Sequence, residues 1–416
     1  MAASILSNVG NGYGIKKISR EYTVKGHHVE RKHSISLSTP HAEQRRFRNN
    51  NWTQRCHDKT FTSILSSKKE NRHLGNLLKC RAATDYAIDE KIVAPNEEKA
   101  LKEEEEIPRS TLIWRAAKLP MYTVSVIPVA VGTAAAYWQT GVFSLGRFLA
   151  NLACNCLVLA WVNLSNDVYD YDTGADVNKK ESVVNLFGGR TLINIIAWQI
   201  LVVGFAGLSW LAVTAGSLRA LSYLAFATFG FYLYQCPPFR LSYYGVGEPL
   251  LFFAFGPLST IPFYLLSSKA ASNLPISSTV VWSSVLIGLI TSIILFCSHF
   301  HQIEDDKAVG KMSPLVRLGT KTGSEVVKWS VIGLYSILLT MGITQALPLA
   351  SVILCSLTLP MANLVVDFVQ KNHQDKTKIF MSKYYCVRLH TIFGTALAAG
   401  LVLARMFSGQ PQAIPV

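Results

Sequence analysis

From Leu119 onward, nine apolar runs follow one another with short polar connections: 119–138, 145–164, 191–215, 219–235, 249–268, 279–299, 328–346, 348–369 and 389–408. A helix needs roughly 20 apolar residues to cross a bilayer, and these runs are of that length. The expected fold is therefore all-α, a polytopic membrane bundle of about nine transmembrane helices. Composition agrees, since 50% of the 416 residues are hydrophobic and only 16% are charged, against roughly 25% charged in an ordinary soluble chain.

Basic residues orient the bundle, because loops rich in Lys and Arg stay on the side of synthesis. The connections after runs 2, 4, 6 and 8, with the segment before run 1, hold 17 of the Lys and Arg residues beyond residue 108, including Lys118, Lys179, Lys180, Arg190, Arg240, Lys307, Lys311 and Arg317. The opposite face holds four: Arg147, Arg219, Lys269 and Arg405. Such a bias fits an odd number of spans.

Two acidic clusters then fall on one face. The first, Asn163-Leu-Ser-Asn166-Asp167-Val-Tyr169-Asp170, follows run 2 and continues through Gly174 and Asp176 to Lys179. The second, His299-Phe-His301-Gln302-Ile-Glu304-Asp305-Asp306-Lys307, follows run 6. If the helices persist, Asn163, Asp167 and Asp170 share one face at i, i+4 and i+7, and His299, Gln302 and Asp306 share another at i, i+3 and i+7. Carboxylate and amide oxygens suit a hard cation such as Mg2+, which binds through few carboxylates together with substrate phosphates. Taken singly, each cluster reads equally as a solvated helix cap. Taken together, each ending an apolar helix four spans apart, they suggest two opposed halves of one site and two four-helix halves plus a ninth helix.

Lys179, Arg190, Lys311 and Arg317 lie on the same face and are candidates to receive phosphate charge. Tyr243, Tyr244 and Glu248 are placed to line the site, although Gly245-x-Gly247 and Gly319-x-x-x-Gly323 read as turns rather than phosphate loops. Eight scattered cysteines imply neither disulfides nor a zinc framework. Cys154 and Cys156 read as small-residue helix packing.

The net charge of +14 is concentrated in a leader: residues 1–82 hold 16 Lys/Arg against five Asp/Glu. The bundle is thus not a nucleic-acid surface. The leader lacks an apolar h-region and is rich in Ser, Asn, Arg and His, as in an organelle transit peptide; a basic disordered tail is the alternative. Residues 83–108 form an acidic linker, 109–408 the membrane domain and 409–416 a tail.

Asn163-x-x-x-Asp167-x-x-Asp170, followed by Asp176 and Lys179, resembles the first aspartate-rich motif of the UbiA-type membrane prenyltransferases. The second cluster, followed by Gly310-Lys311 and Leu315-Val-Arg317-Leu-Gly319, resembles the second motif of the branch that prenylates 1,4-dihydroxy-2-naphthoate. The resemblance covers roughly residues 110–408. It implies a nine-helix bundle that binds an isoprenoid diphosphate through Mg2+, with Asn163, Asp167, Asp170, Asp176, Glu304, Asp305 and Asp306 as metal ligands. Asp167, Asp170 and Asp306 would be catalytic, and Asn166 and Tyr169 would join the pocket with Tyr243, Glu248, His299 and Gln302.

One departure matters. Where the common second motif is Asp-x-x-x-Asp, this chain has Gln302-x-x-x-Asp306, which would shift metal binding toward Glu304 or Asp305. The motif wording and the leader together imply a chloroplast membrane, thylakoid or inner envelope, with the motifs facing the stroma, phytyl diphosphate as donor and a dihydroxynaphthoate as acceptor. Trp161, Tyr169, Phe231, Tyr232 and Tyr234 are aromatic candidates to shield an allylic cation. Transfer to homogentisate or chlorophyllide, a secondary transporter and a non-catalytic assembly protein remain alternatives at this point.

Overall fold

The computed structural model describes residues 109–175, 179, 182–267 and 274–408. The leader, the acidic linker, Asp176, Lys180, Lys269 and the tail lie outside them. The described residues form fifteen α-helices: α1 (Arg109–Ala116), α2 (Thr123–Thr140), α3 (Leu145–Thr173), α4 (Val183–Phe187), α5 (Arg190–Thr214), α6 (Leu218–Gln235), α7 (Gly247–Phe255), α8 (Pro257–Leu266), α9 (Ser278–His299), α10 (Ile303–Ala308), α11 (Pro314–Ile343), α12 (Leu349–Ser356), α13 (Leu359–Asn372), α14 (Lys376–Ile379) and α15 (Ser382–Ser408).

Each of the nine apolar runs maps onto one of these elements or onto a broken pair. Run 5 is α7 and α8, parted at Gly256. Run 8 is α12 and α13, bent by 42°. Among the described residues, seven helices are long and apolar enough to span, or eight if that bent pair is one span. The remaining run is α6, diluted by Arg219, Gln235 and three tyrosines (Tyr223, Tyr232, Tyr234) within 18 residues.

Successive helices pack side by side, and α15 returns against α2 to close the ring. Helices α2, α8, α9 and α15 make the centre, while α3, α5 and α11 turn broad apolar faces outward, among them Val202, Trp210 and Ile343. Such faces belong against lipid. The centre closes through small residues, as expected where lipid removes the hydrophobic drive between helices. A Cβ on Gly132 of α2 would lie 2.6 Å from the Thr260 carbonyl oxygen of α8. Cys154 of α3 rests against Gly207 of α5, in keeping with a packing role. Arginines of the sparsely charged face are held by main-chain carbonyls: Arg147 by Leu266, Arg219 by Leu274 and Arg405 by Trp138.

Two local details differ from the expectations. Helix α9 does not run on into the second cluster; a 3-10 turn, Phe300–Gln302, separates it from α10. The Gly319–Gly323 segment turns at Gly319 alone, whose non-helical angles (φ 78°, ψ 165°) put a kink between two helical stretches of α11, and is helical from there on. Gly245, by contrast, does end a tight turn with φ 77°.

Overpacking a close helix crossing costs about 1–3 kcal/mol. Gly132→Leu is therefore expected to lower the thermal unfolding midpoint in detergent by several degrees, whereas Gly333→Leu, where a Cβ meets nothing within 4 Å, leaves it unchanged. Equal midpoints for the two variants would contradict this packing.

Candidate active site

Helix α3 carries the first cluster because it outruns the apolar part of its sequence. It stops at Thr173, where Gly174 takes the left-handed conformation (φ 79°) and the Ala175 N–H donates to the Asp170 carbonyl at 3.0 Å, a common glycine-capped helix end. Asn163, Asp167 and Asp170 consequently do share one face.

Asp167 is completely buried. Its Oδ1 accepts from Lys118 Nζ at 2.7 Å and lies 3.8 Å from Lys179 Nζ, and its Oδ2 accepts from the Val183 N–H at 3.1 Å. Burying a carboxylate is costly unless it is paired and hydrogen-bonded, and three segments of chain meet that cost here. Asp170 is half-buried and accepts from Asn166 Nδ2 at 3.0 Å.

The second cluster divides by face. Asp306 is buried, with Oδ1 3.1 Å from Lys311 Nζ and Oδ2 without a partner. Gln302 is half-buried at the head of α10. Glu304 and Asp305 point outward, Asp305 to Lys376 at 3.4 Å. The expected shift of metal binding toward Glu304 or Asp305 is thus not favoured, because the 3-10 turn leaves Gln302 and Asp306 as the inward pair.

The two clusters meet around Lys311. Burial alone would lower the pKa of this ammonium, but Tyr234, Asp306 and Asp170 more than offset burial and hold it above the ordinary lysine range. Its charge therefore persists above the usual value near ~10.4, and its contribution to stability, full below that value, is lost as pH rises from there through the raised one. Tyr243 stitches the same region: its hydroxyl donates to Thr173 Oγ1 at 2.8 Å, and its carbonyl accepts from the Met312 N–H at 2.9 Å. Beside them, Glu248 Oε1 lies 3.2 Å from His299 Nδ1.

Several predicted residues serve elsewhere. Arg190 is clamped by both oxygens of Asp172, at 2.9 and 2.5 Å, tying α3 to α5. Arg317 donates to the carbonyls of Tyr244 (2.8 Å) and Met312 (3.2 Å), bracing the turn before α7. Tyr169 lies beside Cys236, Trp198 and Tyr232 between α3, α5 and α6 rather than among the acidic groups. Trp161 and Tyr232 both lie tilted against Trp198, and Phe231 packs on Phe255.

Two residues carry roles that the sequence did not suggest. Lys118 read as an orienting charge yet clamps Asp167; it sits in the left-handed region (φ 50°), unusual for lysine. Tyr234 was one aromatic among five, and of those five it is the one within electrostatic reach of Lys311, Glu248, Asp170 and Asp306.

Among the described residues, no three His, Cys, Asp or Glu side chains converge in a metal-binding group. The donor set nonetheless fits a hard cation shared with a diphosphate: carboxylate oxygens, with the buried Asp306 Oδ2 unpartnered.

The family model described as the UbiA prenyltransferase family matches residues 125–387. The chain is 57% identical over 305 residues to the chloroplastic 2-carboxy-1,4-naphthoquinone phytyltransferase of Arabidopsis thaliana, covering 73% of this chain and 80% of that one. It is 42% identical over 294 residues to the 2-carboxy-1,4-naphthoquinone phytyltransferase of Synechocystis sp., covering 70% of this chain and 94% of the other. In fold it is similar to a UbiA homolog from Aeropyrum pernix, with a TM-score of 0.53 at 16% identity over 67% of this chain and 98% of that one.

Removing Lys311 strands a buried carboxylate, which costs about 3–5 kcal/mol when the pair is buried. Lys311→Ala should accordingly lower the thermal midpoint in chelator far more than Lys321→Ala does; indistinguishable midpoints would contradict the pairing. On its fold, its two motifs and its relatives, the chain belongs to the UbiA prenyltransferase family.

Proposed function

We propose that this chain transfers a phytyl group from its diphosphate to 1,4-dihydroxy-2-naphthoate, with loss of the carboxylate as CO2, a step of phylloquinone (vitamin K1) biosynthesis. The observation that carries the reading is the meeting of both acidic clusters around Lys311, with Asp306 in contact and Asp170 within electrostatic reach. Two relatives of 57% and 42% identity bear the name phytyltransferase, which supports the donor and the acceptor class.

Asp167, Asp170, Asp176 and Asp306, with Asn163, would hold Mg2+, which when bound neutralises diphosphate charge as the leaving group departs. Lys179, beside Asp167, and Lys311, beside Asp306, would bind the diphosphate oxygens as point charges. Arg190 and Arg317 would act one step back, holding the segments that carry them. Tyr234, half-buried beside the charged groups, offers a ring to the allylic cation and helps keep water from it. The electron-rich acceptor attacks the allylic carbon through the ring carbon that bears its carboxylate, and loss of CO2 restores the aromatic ring.

The first 82 residues would deliver the chain to the chloroplast, 83–108 would link them to the membrane domain and 409–416 would form its tail. The bundle would lie in the thylakoid or inner envelope with its acidic face toward the stroma.

In reconstituted membranes, the protein is expected to convert radiolabelled phytyl diphosphate and dihydroxynaphthoate into a prenylated naphthoquinol when Mg2+ is present. Loss of a group that stabilises transition-state charge typically costs about 10²–10³-fold in rate, and Asp167→Ala should lose at least that much. No product, or product undiminished by that substitution, would sink the reading.

A further inference from the structure

The groups assigned above bind and neutralise a diphosphate, and none of them takes a proton. Because the attacked ring carbon sheds its carboxylate, no ring C–H bond needs to break. The proton that matters belongs to the hydroxyl next to that carbon, whose ionisation makes the ring a stronger nucleophile. Asp167, Asp172 and Asp306 are each already engaged in an ion pair with lysine or arginine.

Glu248 is held differently. Its Oε1 lies 3.2 Å from Nδ1 of His299, and its Oε2 is buried with no partner. With Glu248 Oε1 as the acceptor of this contact, Nδ1 of His299 is the donor and, in the neutral ring, Nε2 keeps the lone pair. His299 is 3% exposed. The pair joins α7 to α9, with Glu248 in the first turn of α7 and His299 the last residue of α9. Ser292 Oγ donates to the Glu248 carbonyl at 3.2 Å, a second tie between these helices. Tyr234 lies within electrostatic reach of Glu248 as well as of Asp170, Asp306 and Lys311, so the pair borders the diphosphate end of the site.

We infer that His299 is the proton acceptor for the ring hydroxyl of the aromatic acceptor and that Glu248 positions it, an inference that rests on the proposed transfer reaction. His299 Nε2 takes the hydroxyl proton, and the O–H electron pair stays on the ring oxygen. That pair moves through the ring to the carbon bearing the carboxylate, which bonds to the allylic carbon. The C–O bond of the allylic group breaks, its electrons leaving with the diphosphate, and the ring oxygen becomes a ketone. The C–CO2 bond then breaks, its electron pair returns through the ring to that oxygen, and CO2 departs. His299 gives the proton back, so the pair ends each cycle unchanged. Glu248 holds the imidazole in the required tautomer and stabilises the imidazolium, the role that a buried carboxylate has beside histidine in hydrolytic triads.

The test compares wild type, His299→Ala and Glu248→Gln, reconstituted with Mg2+ and phytyl diphosphate. Two acceptors are used: dihydroxynaphthoate and a ring-halogenated analogue whose hydroxyl is already largely ionised at the assay pH. General-base catalysis is worth about 10²–10⁴-fold. His299→Ala is expected to lose kcat on that scale with dihydroxynaphthoate, to lose at least about tenfold less with the ionised analogue, and to regain rate with added imidazole. Glu248→Gln is expected to show the same dependence on acceptor with a smaller loss. If His299→Ala does not fold, judged by Mg2+-dependent thermal stabilisation with phytyl diphosphate, the acceptor comparison on Glu248→Gln decides. Equal losses on both acceptors without imidazole rescue, or no loss at all, would overturn the dyad alone. Wild type that makes no product would overturn it together with the proposed reaction.

Discussion

A carboxylate buried at the end of a membrane helix must find a counter-charge, and much of the described structure follows from how two of them do. Asp167 draws Lys118 from before α2, Lys179 from beyond α3 and the Val183 N–H from α4. Asp306 draws Lys311 from the loop after α10, and Lys311 in turn feels Asp170. The two clusters, more than a hundred residues apart in sequence, are thereby bound into one charged floor. Breaking such a pair costs more than the pair itself contributes, because the surviving charge stays buried.

Above this floor the bundle is held by shape rather than by charge. Gly132 lets α2 lie directly on α8, and Gly256 and Gly288 let α7–α8 cross α9 within van der Waals contact. These crossings fix where the last turn of α9 and the first turn of α7 sit, and so bring His299 to Glu248. Small residues deep in the membrane thus position polar ones at its edge.

Much of this was legible in the sequence. The apolar runs marked the spanning elements, and helical spacing placed Asn163, Asp167 and Asp170 on one face. Spacing along a helix identifies a face, however, and not what lies opposite. Arg190 and Arg317 carry the right charge on the right side, yet Asp172 and two carbonyls are nearer to them than the site is. Tyr169 lies inside the acidic motif, two residues after Asp167, which turns it to the far side of α3 from that carboxylate. Lys118 was hidden by a left-handed turn that reverses its direction, and the outward placement of Glu304 and Asp305 by a 3-10 turn that re-phases the helix. Each of these depends on contacts between distant segments, for which one sequence carries no direct signal.

The central claim is that both acidic clusters act on one diphosphate. A double-mutant cycle on Asp170 and Asp306 tests it most directly, with Mg2+-dependent binding of a non-ionising phytyl thiolodiphosphate measured for wild type, Asp170→Asn, Asp306→Asn and the double variant. Residues that share a ligand or a network couple by about 0.5–3 kcal/mol, whereas independent sites add within about 0.5 kcal/mol. One shared site predicts that the double variant binds clearly more tightly than the sum of the single losses allows; strict additivity would contradict it.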